Sequence, residues 1–163
     1  MSEVVDFRSV LEASANCYML LDRDLRYVWA NAAYLGITGC PLEQLIGRGL
    51  FEVCPHDPAD PDNESSALLR RSLEKVLATR ERDVLACIPY RVPRSPGGSL
   101  EERLWSATHT PLLRPDGEVE LVLQHTVEVT ELARLREAAE PEMFSAEAGV
   151  LGRAELEIGR AHV

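Results

Sequence analysis

The sequence predicts an α+β domain built on one antiparallel sheet. Three observations predict it. Two short apolar runs, Tyr18–Leu21 and Tyr27–Ala30, flank the polar, turn-like "DRDLR" near the N-terminus. One long run with helical spacing occupies the middle of the chain. Three β-rich runs then follow in succession, with turn chemistry between them.

The elements follow in order. Val5 to Ser14 reads as a short amphipathic helix, with Val5, Phe7, Val10 and Leu11 on one side. The hairpin of Tyr18–Leu21 and Tyr27–Ala30 comes next. Asn31 then stands where an N-cap is needed, because its side-chain oxygen can accept from a free N–H of the first helical turn. Gly36 and Gly39 keep the helix "AAYLGIT" short. "CPLEQLIGRGLFEVCP" gives a second short helix, with Pro41 in its first turn, Leu42 and Leu45 apolar, and Gly47 as stop. "HDPADPDNESS" is a loop by composition. "ALLRRSLEKVLATRE" is the long helix, with Leu69, Leu73, Val76 and Leu77 on one face. The three strands are "DVLACIPYRV", "RLWSATHTPLL" and "ELVLQHTVEV", joined by the turns "RSPGGSLEE" and "RPDGEV". Pro89 marks the first of them as an edge strand or a bulge. A helix-like run from Thr130 follows the last strand with no Gly, Pro or loop between.

The bulk properties exclude several classes. The 163 residues are 45% hydrophobic and 27% charged, enough for one domain with a real core. A net charge of −10 argues against nucleic acid or an anionic membrane surface as a partner. No apolar run reaches membrane-spanning length, and "MSEVVDFRSV" is not a signal peptide, so a cytoplasmic location is expected. Cys17, Cys40, Cys54 and Cys87 form no C-x-x-C pair and read as free thiols. The sequence contains no glycine-rich phosphate loop, no G-x-S-x-G and no H-E-x-x-H, so no enzyme is expected in this chain.

Taken together, "YMLLDRDLRYVWANAAYLGITG", "LIGRGLFEV", "LLRPDGEVELVL" and "VEVTEL" resemble the PAS domain over roughly Phe7 to Arg136. "GRGLFEVCPHDPADPD", "ESSALLRRSLEKVLAT" and "EERLWSATHTPLLRPDGEV" look like the PAS domains at the front of bacterial sensor histidine kinases. The resemblance implies a five-stranded antiparallel sheet with short helices on one face, an N-terminal helix and a C-terminal signalling helix. It implies a sensory or signal-relay role, as the input module of a truncated two-component kinase. The alternatives are a ligand-free interaction module and a haem or metal sensor. It also implies pocket-lining positions at Trp105, Ala107, His109, Val122, Gln124 and Thr126, suited to a small-molecule ligand or to a plain core. The family's Asp-x-Thr junction falls on Glu128, Val129 and Thr130, with Thr130 capping the outgoing helix and Glu128 replacing the usual Asp. A homodimer through the N-terminal helix and an outer sheet face carrying Leu121, Leu123 and Val127 is expected.

The cofactor stays open. Flavin photochemistry in the superfamily uses an Asn-Cys-Arg-Phe-Leu-Gln stretch, which "FEVCPHDP" around Cys54 lacks. Haem-binding relatives often carry a histidine on the long helix, and this one has none; His109 and His125 lie on strands and read as sheet residues. Cys54 and His56, followed by Asp57, Asp60 and Asp62, read as a solvated acidic loop rather than a metal site.

The expected organisation is an N-terminal helix over 1–14, the PAS domain over 15–129, and a signalling helix with the start of a coiled linker over 130–156. Pro141 interrupts that helix. Ile158-Gly159-Arg160-Ala161-His162-Val163 matches what a short-read sequencing adapter encodes in one frame, followed by a stop. Residues 157–163 are therefore expected to be an artefact, with a missing effector domain beyond about Leu156.

Overall fold

A computed structural model describes residues 5–53, 64–95 and 97–139. The chain divides into two units, Met1–Val129 and Thr130–Val163. In the first, α1 (Phe7–Glu12), β1 (Cys17–Leu21), β2 (Tyr27–Ala30), α2 (Ala32–Thr38), α3 (Leu42–Leu45), α4 (Leu50–Val53), α5 (Glu64–Thr79), β3 (Asp83–Pro93), β4 (Leu100–Leu113) and β5 (Val119–Glu128) follow one another. The sheet order is β2-β1-β5-β4-β3, and every neighbouring pair is antiparallel. The last strand thus lies in the centre, between β1 and β4. In the second unit, residues 130–139 are helical.

Period-two alternation sets the faces. Cys17, Met19 and Leu21 of β1 point inward with Val122 of β5, and meet Leu45 of α3, Leu50 of α4, and Leu73 and Val76 of α5. Each fully buried side chain of this size contributes about 1.5–3 kcal/mol. Asn31 does more than cap α2. At 0% exposure, its Oδ1 accepts from the N–H groups of Tyr34 (3.1 Å) and Tyr18 (3.0 Å), and its Nδ2 donates to the carbonyls of Leu11 and Asn16 (both 2.9 Å). One side chain ties α1, β1 and α2 together. On the opposite face, Tyr18 stacks on His125 with ring centroids 4.7 Å apart, and Leu20 pairs with Leu123.

Several elements differ from the sequence reading. The N-terminal helix is shorter and starts at an Asp6 cap, whose Oδ1 accepts from Arg8 N–H. Its apolar side is not covered within the unit: Phe7 is 75% and Val10 56% exposed. The "LEQLIGRGLFEV" segment is two helices rather than one. Between them Gly47, at φ 77°, donates to Tyr27 O (2.8 Å) and Arg48 O accepts from Tyr27 N–H (3.0 Å), so the chain runs briefly along β2 before turning into α4. Pro41 precedes the first helical residue instead of lying inside the turn. "LEE" is strand, not turn: Leu100, Glu101 and Glu102 pair with Pro93, Val92 and Arg91. Backbone pairing there overrides a composition that reads as loop. β3 is indeed an edge strand, with a register shift between Leu85 and Ile88 where Cys87 takes φ 52°.

Candidate functional site

A cavity of about 310 Å³ lies between the inner sheet face and the helices. Its floor is Cys17 of β1, Trp105 and Ala107 of β4, and Gln124 and Thr126 of β5. Tyr27 of β2 and Tyr34, Ile37 and Thr38 of α2 form one wall, with Leu50 and Val53 of α4 and Ser65 and Leu69 of α5 beside them. The long β3–β4 hairpin closes another side with Ile88, Tyr90, Val92 and Leu100. The lining is apolar with a few polar atoms, which is how a small-molecule site is built.

Those polar atoms are mostly engaged. The hydroxyls of Tyr27 and Tyr34 lie 2.7 Å apart. Ser65 Oγ donates to Pro89 O at 2.6 Å, fastening α5 to β3. Burial pushes the Cys17 thiol above its ordinary pKa, opposed by a hydrogen bond to Thr126. Trp105 is different. Its indole Nε1–H is buried and has no acceptor among the described residues. A buried donor left unmet costs about 1–3 kcal/mol, and this one, although it belongs to a residue of the cavity wall, is itself sealed from a water-sized approach.

Behind the floor runs a chain of polar side chains. Lys75 Nζ donates to Asp83 Oδ1 (2.6 Å), and Ser72 Oγ donates to Asp83 Oδ2 (2.6 Å). Ser72 Oγ also lies 2.7 Å from His109 Nδ1, and His109 Nε2 lies 3.0 Å from Gln124 Oε1. Lys75 and then Ser72 hold the Asp83 carboxyl below the usual carboxylate range. Burial holds His109 below the usual imidazole value, against smaller opposing effects of Gln124 and Asp83.

The family model described as the PAS fold matches residues 11–134. The chain belongs to the PAS family. No curated protein matches it. Among solved structures it is similar to the PAS domain of Bordetella pertussis BvgS, at 21% identity and TM-score 0.57, covering 85% of this chain and 95% of that one. It is similar to a sensory box sensor histidine kinase from Vibrio cholerae, at 18% identity and TM-score 0.55, covering 76% and 90%. It is also similar to an RNA-binding light-oxygen-voltage receptor, at 16% identity and TM-score 0.60, covering 90% of this chain; it spans only 41% of that receptor's length.

Of the six positions read as pocket lining, Trp105, Ala107, Gln124 and Thr126 stand in the cavity wall of this PAS domain. His109 and Val122 do not: both are 0% exposed, His109 between Ser72 and Gln124 and Val122 in the packed core. They share the inner face with the other four. However, both lie nearer the end of the sheet where α5 packs directly against it. Neither histidine offers an open ring nitrogen to the cavity, since His125 is on the outer face against Tyr18. The sequence reading missed Ser72 and Asp83, which look like ordinary surface positions on α5 and β3, and the cavity wall supplied by α2. Among the described residues no group of three or more His, Cys, Asp or Glu could hold a metal. Cys54, His56, Asp57, Asp60 and Asp62 lie outside the described residues, as do residues 140–163 with Pro141 and the adapter-like end.

At the junction, β5 ends at Glu128 and helical backbone begins at Thr130, with Val129 alone between them. Thr130 is thus the first helical residue, and Val129 holds the position before it. Glu128 Oε2 accepts from Arg103 Nη1 at 3.2 Å, and Val129 N–H donates to Leu104 O at 2.8 Å. Trp105 is the ladder partner of Glu128. The cavity floor and the end of β5 therefore share one rung of the sheet.

Proposed function

We propose that this PAS domain is the sensory input module of a two-component sensor histidine kinase, whose effector would follow the outgoing helix. A small molecule in the cavity biases the sheet, and the helix that begins one residue after β5 carries the bias onward. The observation that carries this reading is Trp105, a residue of the cavity wall that stands on the same rung of the sheet as Glu128, where β5 ends. With only Val129 between strand and helix, little backbone is free to absorb a displacement at that rung. The likeness to a sensor histidine kinase of Vibrio cholerae supports the same placement. In this reading the chain acts by relay, not catalysis, and in the cytoplasm, where the free thiols of Cys17, Cys40 and Cys87 are kept reduced.

The reading includes a homodimer. Phe7 and Val10 of α1 and the half-exposed Leu121, Leu123 and Val127 of the outer face form apolar surface that a second copy would cover. The test of the whole reading is native mass spectrometry, with an absorbance spectrum, on protein purified directly from cells. A non-covalent small-molecule mass is expected on the wild type and not on Ala107→Phe, which fills the cavity. A wild type that is consistently empty would contradict the ligand-sensing role.

A further inference from the structure

We infer that the cavity takes an uncharged, largely apolar molecule carrying a hydroxyl or N–H donor, because Gln124 presents its amide oxygen, not its nitrogen, to that molecule. The inference rests on the ligand-binding reading above and deepens it.

The Asp83 carboxylate, paired with Lys75 at 2.6 Å, is ionised and can only accept. Ser72 Oγ lies 2.6 Å from Asp83 Oδ2, a separation that requires a proton between them. Ser72 has one hydroxyl proton, so that proton is spent on Asp83. His109 Nδ1, 2.7 Å from the same Ser72 oxygen, must then be the donor and carry a hydrogen. This fixes the tautomer: a neutral His109 has a bare Nε2.

That bare nitrogen faces Gln124 at 3.0 Å. An acceptor there needs a donor opposite it. The oxygen and nitrogen of a glutamine amide have nearly the same shape, and which end points where follows from the hydrogen bonds they make. The alternative is a charged imidazolium donating to the Gln124 oxygen. His109 is 0% exposed, and the charged groups facing it are Asp83 of β3 and, through Asp83, Lys75 of α5, which already neutralise each other. From β5 it meets the neutral Gln124. Desolvation holds its pKa below the ordinary value, so the neutral ring prevails and the Gln124 NH₂ group turns to it.

Gln124 also lines the cavity, so its amide oxygen is left for a ligand. The cavity then offers an acceptor at Gln124. The charged side chain in the lining, Arg91, already has an interaction of its own. A neutral molecule with a hydroxyl or N–H group matches this acceptor. An ether or ketone without a donor leaves Gln124 unmet.

The test uses phenol, anisole and toluene as probes of the intact chain, alongside ¹⁵N NMR of its imidazoles at neutral pH. His109 is expected to show a protonated Nδ1 and a bare Nε2. Phenol is expected to bind about tenfold more tightly than anisole, the effect of one buried hydrogen bond. That advantage should vanish in Gln124→Leu. Anisole binding as tightly as phenol would overturn the inference while leaving the cavity a ligand site. An imidazolium with both nitrogens protonated would also overturn it, without reference to any variant. Failure of all three probes to bind would overturn the inference together with the ligand-binding reading beneath it.

Discussion

Ser72→Ala removes one oxygen atom and should cost far more than a serine on a helix normally does. Ser72 is 2% exposed and its hydroxyl bridges Asp83 and His109 at 2.6 and 2.7 Å. Without it, the His109 Nδ1–H is left in a fully buried site with no acceptor, at about 1–3 kcal/mol. Asp83 loses one donor but keeps Lys75, and its side chain is 16% exposed to water, so that loss adds only about 1 kcal/mol. The sum, about 2–4 kcal/mol, is a large part of the roughly 5–15 kcal/mol that holds a domain folded. Urea unfolding at neutral pH measures it. The same substitution in a His109→Leu background should cost about 1–3 kcal/mol less, because the stranded donor is gone. A cost below about 0.5 kcal/mol, or one equal in both backgrounds, would refute the bridging role of Ser72.

Other predictions follow from the same geometry. Asn31→Ala removes four buried hydrogen bonds that join three elements, and should cost about 3–4 kcal/mol by thermal or urea unfolding, beyond the ~1 kcal/mol of a lost cap. His109 gives a pH signature. Its folded pKa lies below the ordinary 6.5, so as pH falls through 6.5 the unfolded chain takes up a proton that the folded chain refuses. Stability is therefore full above 6.5 and declines below it, and His109→Gln should flatten that decline; a second loss below the ordinary 3.8 belongs to Asp83. Leu123→Lys, on the half-exposed outer face, should convert a light-scattering dimer to a monomer without lowering the melting temperature of the domain. A wild type that is monomeric at high concentration would remove the dimer from the account.

The fold was largely legible because its signals are local. The hairpin alternation, Asn31, the helical spacing of Leu69, Leu73, Val76 and Leu77, and the tight strand-to-helix junction can all be read within a few residues of one another. The site was only half legible. Alternation along β4 and β5 places Trp105, Ala107, Gln124 and Thr126 on the inner face, but it places His109 and Val122 there equally well. What separates them is how closely α5 approaches each end of the sheet, a distance that no pattern within a strand encodes. Ser72 illustrates the same limit. On α5 it looks like a polar interruption of a surface helix, and its role exists only because β3 and β4 bring Asp83 and His109 to it. Leu25 is the converse case. It lies within the turn "DRDLR", at φ 57°, and yet it is buried in the core. A polar turn signal hid an inward-facing side chain, which the Asp22 carboxylate positions by accepting from the N–H groups of Asp24 and Arg26.

The central claim is that the state of the cavity is felt in the helix after β5. Hydrogen exchange, read amide by amide in the wild type and in Ala107→Phe, tests it most directly. Filling the cavity is expected to change protection along β5 and on through residues 130–139. Changes that stop at Glu128, with residues 130–139 exchanging identically in both proteins, would contradict it.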